Sequence, residues 1–261
     1  MTRPNSIRML FTLVMACASL TQRAAAADFD HSHALFNRVL QQHVKNARVD
    51  YAALKTHSEV LDHYLEELAK IPPAEFSRWS ETERLACLIN LYNAATLKLI
   101  VEHYPLHSIR NIGFLPGAAW RELTVRFGGQ IMTLGHLENK IIRVKYQDPR
   151  IHFALVCAAK GCPPLRAEAY TGARLRAQLN DQARQFLSEP TKNRFEADTK
   201  TLYLSPIFKW YDKDFTKTAG SLAAYVKPFL PEAQRLALTD SAKLKVRFTD
   251  YDWALNDVAR P

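Results

Sequence analysis

The sequence predicts an α+β fold: a single domain with a mostly antiparallel central sheet covered by helices, one of them deeply buried. Three observations carry this expectation. Residues 81–103 form an apolar run with almost no polar face, and a helix that is hydrophobic all round is buried all round. Short runs rich in β-branched and aromatic residues recur between turn residues, among them 151–157, 201–204 and 245–248. No internal repeat, low-complexity tract or linker divides the 261 residues.

The chain opens with what reads as a secretory signal peptide over residues 1–27, leaving 28–261 as the folded domain. Arg3 and Arg8 give a positive start, residues 9–20 an apolar core, and Ala24 to Ala27 a small-residue cleavage region. The apolar stretch is too short and wrongly flanked to span a bilayer, and no transmembrane segment is expected elsewhere. The expected location is periplasmic or secreted. Val14-Met15-Ala16-Cys17 loosely resembles a lipoprotein cleavage box, so acylation at Cys17 is the alternative. Cleavage would remove Arg3, Arg8 and Arg23 and no acid, lowering the net charge of +9 by three. The remaining basic excess is spread along the chain with no run of five or six, which is no signature of nucleic-acid binding. The partner expected instead is a peptide, a glycan or a small molecule; the sequence does not fix the oligomeric state.

Within the domain, residues 29–45 read as an amphipathic helix, with Leu35, Val39 and Val44 on one face. Residues 49–51 are brief and extended, and 52–68 form a second helix broken by Pro72 and Pro73. Ser80 and Glu83 have the spacing of a capping box at the start of the buried helix. That helix carries Asn90 and Asn93, three apart and so neighbours on its surface, in line with Cys87. Burying two primary amides requires partners: backbone groups of neighbouring segments, or a site that they line. Residues 120–127 and 130–133 form a hairpin about Gly128-Gly129, where a two-residue turn needs positive φ. Residues 134–144 are helical and place Glu138 on the apolar side, four residues from Leu134 and from Ile142. A carboxyl group there needs a partner, with Arg143 and Arg150 nearest in sequence, or a raised pKa.

Residues 151–157 read as a short strand with apolar residues on both faces, stopped by Gly161, Pro163 and Pro164. Helices are expected over 172–187 and 221–229, with strands at 201–204 and 245–248. An aromatic cluster of Phe208, Trp210, Tyr211 and Phe215 lies between them, and Tyr251-Asp252-Trp253 comes near the end. These aromatics fill a core or line a groove for a ligand.

Taken together, several segments resemble the DUF547 family, a domain of unknown function found in exported bacterial proteins and in some eukaryotic ones. They are Asn90-Leu91-Tyr92-Asn93-Ala94, Leu137-Glu138-Asn139 through Arg143, Asp148-Pro149-Arg150-Ile151-His152-Phe153 through Cys157, Cys162-Pro163 and Tyr251-Asp252-Trp253 through Asp257. Many members have histidine after the motif glutamate; this chain has Asn139, and if that histidine is a catalytic base in those relatives, this chain lacks it. The resemblance implies no particular reaction.

Two readings of function stand. In the first, Cys157 is the nucleophile of a thiol-dependent hydrolase or acyl transferase. It needs a base within reach or a depressed pKa, and Glu138, Asn90 and His152 are the remaining site candidates, with His136 a further source of a base. Strand alternation would turn His152 away from Cys157, which weakens it as the base. In the second, a Cys157–Cys162 disulfide is structural and the protein is a non-catalytic envelope binding module. Cys87 lies inside its helix, away from any dipole that would acidify it, and is expected to fill core. No metal is expected, since Cys157 and Cys162 with one histidine lack a second cysteine pair. No cofactor is expected either, because eight glycines include no phosphate-cradling loop, and G-x-S-x-G and H-E-x-x-H are absent.

Overall fold

A computed structural model describes residues 29–237 and 244–259. The expected signal peptide and the alternative acylation site at Cys17 lie outside these residues. Helix dominates, at 54 % of the described residues against 11 % strand. Helices rather than a central sheet therefore carry the core.

The first layer is helical: α1 (Ala34–His43), α2 (Tyr51–Thr56), α3 (Glu59–Lys70) and α4 (Pro73–Arg78), with β1 (Val44–Lys45) and β2 (Arg48–Val49) pairing between α1 and α2. Of these, α2 and α3 pack on α5 (Glu81–His103), where sixteen residues, from Leu85 through Val101, are buried. Its start is set by the capping box: Ser80 Oγ accepts from the Glu83 N–H at 3.2 Å, and the Glu83 carboxylate accepts from the Ser80 N–H at 2.8 Å. Among the described residues α5 is the one helix long and apolar enough to cross a membrane, and 89 % of its apolar window lies inside the fold. It is the core helix of the molecule.

β3 (Val125–Phe127) and β4 (Gln130–Met132) form the hairpin, turning through Gly128 and Gly129 at φ +59° and +74°. Residues 118–121 before it are a 3₁₀ turn rather than strand. The next helical run is continuous but not uniform: α6 (Leu134–His136), a π-helical stretch (Leu137–Ile142) and α7 (Arg143–Tyr146). Then come α8 (Ile151–Ala154), α9 (Leu175–Leu187), β5 (Arg194–Glu196), β6 (Thr201–Leu204), α10 (Pro206–Trp210), α11 (Asp212–Ala219), α12 (Leu222–Val226), α13 (Glu232–Ala237) and β7 (Lys245–Phe248).

The expected central, mostly antiparallel sheet is only partly present. Pairing is antiparallel in β1–β2, β3–β4 and β5–β6, but these belong to three separate small sheets, and β7 joins β6 in parallel. The segment expected to be its central strand, 151–157, is a helical turn followed by extended chain. That turn lies at a seam. Ile151 and Ala154 of α8 belong to the large cluster around α5, whereas Phe153 belongs to a second cluster with Phe186, Phe208, Phe215 and Tyr225. Tyr251 packs against both clusters, and the site lies beside it.

Candidate functional site

Residues 148–162 provide one wall. Asp148-Pro149 winds the chain into a turn instead of extending it. The N–H groups of Ile151, His152 and Phe153 donate to the carbonyls of Asp148, Pro149 and Arg150 at 3.0–3.2 Å, and Asp148 Oδ1 accepts from the Arg150 N–H. Leu155 N–H closes the turn on the Ile151 carbonyl at 2.9 Å. Asn93 fixes the extended residues beyond the turn: its Nδ2 donates to the Ala154 carbonyl (2.9 Å) and its Oδ1 accepts from the Val156 N–H (3.0 Å). The strand expected over 151–157 is thus replaced, and with it the alternation that would have separated two candidates. His152 and Cys157 line the same cleft.

Cys157 and Cys162 face each other as a disulfide pair, with Cα atoms 6.3 Å apart. The Tyr251 hydroxyl lies 3.2 Å from Cys157 Sγ and 3.1 Å from Cys162 Sγ. Lys192 Nζ donates to the Cys162 carbonyl at 2.7 Å and anchors the loop from outside. Gly161 is needed at its position because the C-terminal segment runs against it. Its N–H donates to the Asp252 carbonyl at 2.8 Å, and a Cβ there would meet Asp252 backbone atoms at 3.0 Å. The same pairing continues through Lys160 to Ala254 and Asn256 to Ala158, which brings Tyr251 and Trp253 to the cleft.

The π-helical stretch supplies the floor. The Arg143 N–H bonds to the Glu138 carbonyl, one residue wider than in an α-helix. Glu138 is buried. Tyr211 Oη donates to its Oε1 at 2.6 Å and Tyr92 Oη to its Oε2 at 3.2 Å, while Trp120 Nε1 donates to Tyr92 Oη at 3.3 Å. The arginine expected to partner it does not. Arg143 donates to Asn139 Oδ1 (2.6 Å) and Asp214 Oδ2 (2.8 Å), and Arg150 binds Asp148 and Asn180. Burial, reinforced by the nearby Glu138 carboxylate, holds the Tyr211 and Tyr92 phenols well above their usual range, so both remain donors.

His152 is stacked on Tyr211 with ring centres 3.8 Å apart, and its Nε2 lies 2.8 Å from Asp214 Oδ2. Burial lowers the imidazole pKa, whereas hydrogen bonds from His152 and Arg143 hold the Asp214 carboxyl far below the usual carboxylate range. The pair is therefore a neutral ring donating Nε2–H to an ionised carboxylate, which accepts only. Trp210, Tyr251 and Trp253 complete the cleft, with ring centres 4.6–5.8 Å apart, and Trp120 lies 6.2 Å from Trp253. The volume of this open cleft is about 260 Å³.

Of the four candidates, Cys157, Glu138 and His152 meet in this cleft and Asn90 does not line it. The Asn90 amide is tied to the Tyr170 backbone, donating to its carbonyl at 2.7 Å and accepting from its N–H at 3.0 Å. His136 is exposed. Cys87 is fully buried, and burial alone pushes its thiol pKa up. Sequence reasoning missed Tyr92 and Asp214. Tyr92 reads as one more apolar position of α5, and Asp214 as an ordinary first-turn acid of α11. Among the described residues no three His, Cys, Asp or Glu side chains cluster as metal ligands would.

No curated protein and no solved structure matches the chain. Residues 76–187 match the model of a family described as a protein of unknown function, DUF547. That span takes in α5, the π-helical floor and the Cys157–Cys162 loop, and stops before Trp210, Tyr211, Tyr251 and Trp253. The match supports the DUF547 resemblance for the part of the cleft built from these elements.

Proposed function

We propose that this chain is an exported ligand-binding protein whose cleft receives a small group between Trp120, Trp210, Tyr251 and Trp253, with Glu138 as its polar anchor. Export rests on the character of residues 1–27. What supports the binding reading is the placement of the two sulfurs: Cys157 and Cys162 sit as a disulfide pair, and a sulfur held in that bond offers no thiolate, the form that attacks. Aromatic rings around one buried carboxyl group are the furniture of a small-molecule site, apolar surface with few oriented polar groups.

A second reading keeps Cys157 as the nucleophile of the reduced protein. It is favoured by one observation, that His152, Glu138 and Cys157 share the cleft. The two separate in one experiment on full-length protein exported to the periplasm. Tryptophan fluorescence is titrated with short peptides, sugars and small amines, while ester and amide hydrolysis is followed on the same panel. Binding lost in Trp210→Ala and kept in Cys157→Ser supports the binding protein. Turnover that appears on reduction and vanishes in Cys157→Ser overturns it.

A further inference from the structure

We propose that the ligand is an organic cation, an ammonium group of headgroup size seated against the indole faces with Glu138 as its counter-charge. This rests on the reading of the cleft as a binding site and names what it binds.

The first support is the charge of the lining. The chain carries 35 lysines and arginines against 26 acids. Yet the cleft is lined by one carboxylic acid, Glu138, and among the described residues by no lysine or arginine. The nearest guanidinium, that of Arg143, is committed to Asp214 and Asn139. Arg143 and Asp214 cancel, and His152 is neutral against Asp214. Glu138 is held by two phenols, and no ion pair reaches it among the described residues. A carboxylate has about four acceptor positions; two phenols fill two of them.

The second support is the rings themselves. Aromatic faces are negative and attract cations, tryptophan most strongly. Two rings of this cleft already do so. The Arg110 guanidinium lies 5.3 Å from the Trp253 ring centre, and that of Arg143 lies 4.8 Å from that of Tyr211. Third, about 260 Å³ falls below the roughly 300–1,000 Å³ of sites for drug-sized ligands, which suits a headgroup or one side chain rather than a polymer. An anion would meet Glu138 with no lysine or arginine in the lining to offset it. A neutral sugar would need several free polar partners, whereas Asn139, His152 and the phenols are already engaged.

The test uses tetramethylammonium, choline and butylammonium, with dimethylbutanol as the uncharged isostere of choline and glucose as a neutral sugar. Binding is read by calorimetry and tryptophan quenching. At least one ammonium is expected to bind tenfold or more tightly than dimethylbutanol. Glu138→Gln is expected to remove that preference without weakening dimethylbutanol, and Trp210→Ala to weaken both. Dimethylbutanol binding as well as the ammonium compounds, or glucose binding while they are silent, overturns the cation and leaves the cleft a binding site. Silence of every probe in wild-type protein overturns the cation as well; failure of the wider panel of peptides, sugars and amines is what sinks the binding reading itself. Should Glu138→Gln fail to fold, the wild-type comparison of choline with dimethylbutanol still decides.

Discussion

Two buried polar sites flank the same core helix and differ in one respect. On α5, Asn90 and Asn93 are 0 % and 3 % exposed, and each spends both ends of its amide on backbone groups of one neighbouring segment. Glu138, packed beside α5 and 6 % exposed, is held only by side-chain phenols and faces a cleft. The amides are tied at both ends to backbone and so are scaffold: they hold residues 154–156 and Tyr170 in place. Glu138 retains unused acceptor capacity toward open space. Burial of a polar group is common to both; what distinguishes the site is that its partners are side chains and that it faces a cleft.

The sharpest way to break this comparison is to delete an amide. Asn93→Ala leaves the Ala154 carbonyl and the Val156 N–H unpaired, which should cost about 2–4 kcal/mol in denaturant unfolding. A loss under about 1 kcal/mol would mean that water replaces the clamp and that Asn93 is not scaffold. The next effect is of acid. Burial lowers the His33 pKa to about 4 and also lowers that of His152. Both are bases with depressed folded values, so below about pH 6.5 the unfolded chain takes protons that the folded one refuses, and stability falls with pH. His33 alone should contribute a loss on the order of 2 kcal/mol between pH 7 and pH 5. Titration of its ring resonances near pH 6.5 in folded protein would contradict this. Asp214, held low by His152 and Arg143, acts in the same direction but only below about pH 4.

Removing the cap by Ser80→Ala should cost about 1 kcal/mol, since α5 loses one paired donor at its start and keeps its buried face. The smallest effect expected is that of Glu138→Gln on stability, within about 1 kcal/mol, because an amide can still accept from one phenol and donate to the other. A loss as large as that of Asn93→Ala would place Glu138 with the scaffold.

Much of the framework is legible in the sequence. The bounds of α5, its capping box, the Gly128-Gly129 turn and the strands β6 and β7 come from periodicity, cap spacing and turn chemistry, all local properties. The site is half legible for a physical reason. Residues 151–157 are a short apolar run, and periodicity alone does not separate a buried strand from a buried helical turn. The deciding signal is Asp148-Pro149, a side-chain acceptor and a fixed φ at a helix start, which the length and apolarity of the run obscure. The difference matters, since only the turn lets His152 and Cys157 share a cleft. The π-helical widening at Glu138 and the pairing of residues 252–256 with the loop at 158–161 have no local signature. They are set by tertiary packing, and with them the choice of tyrosines over arginines as partners of Glu138.

The central claim is that this cleft binds and that its sulfur is tied up. Alkylation of folded protein purified from the periplasm, read by mass spectrometry without and then with reductant, tests it most directly. Cys157 and Cys162 are expected to label only after reduction. Rapid labelling of Cys157 without reductant, well below pH 8, would contradict it and make Cys157 an activated nucleophile.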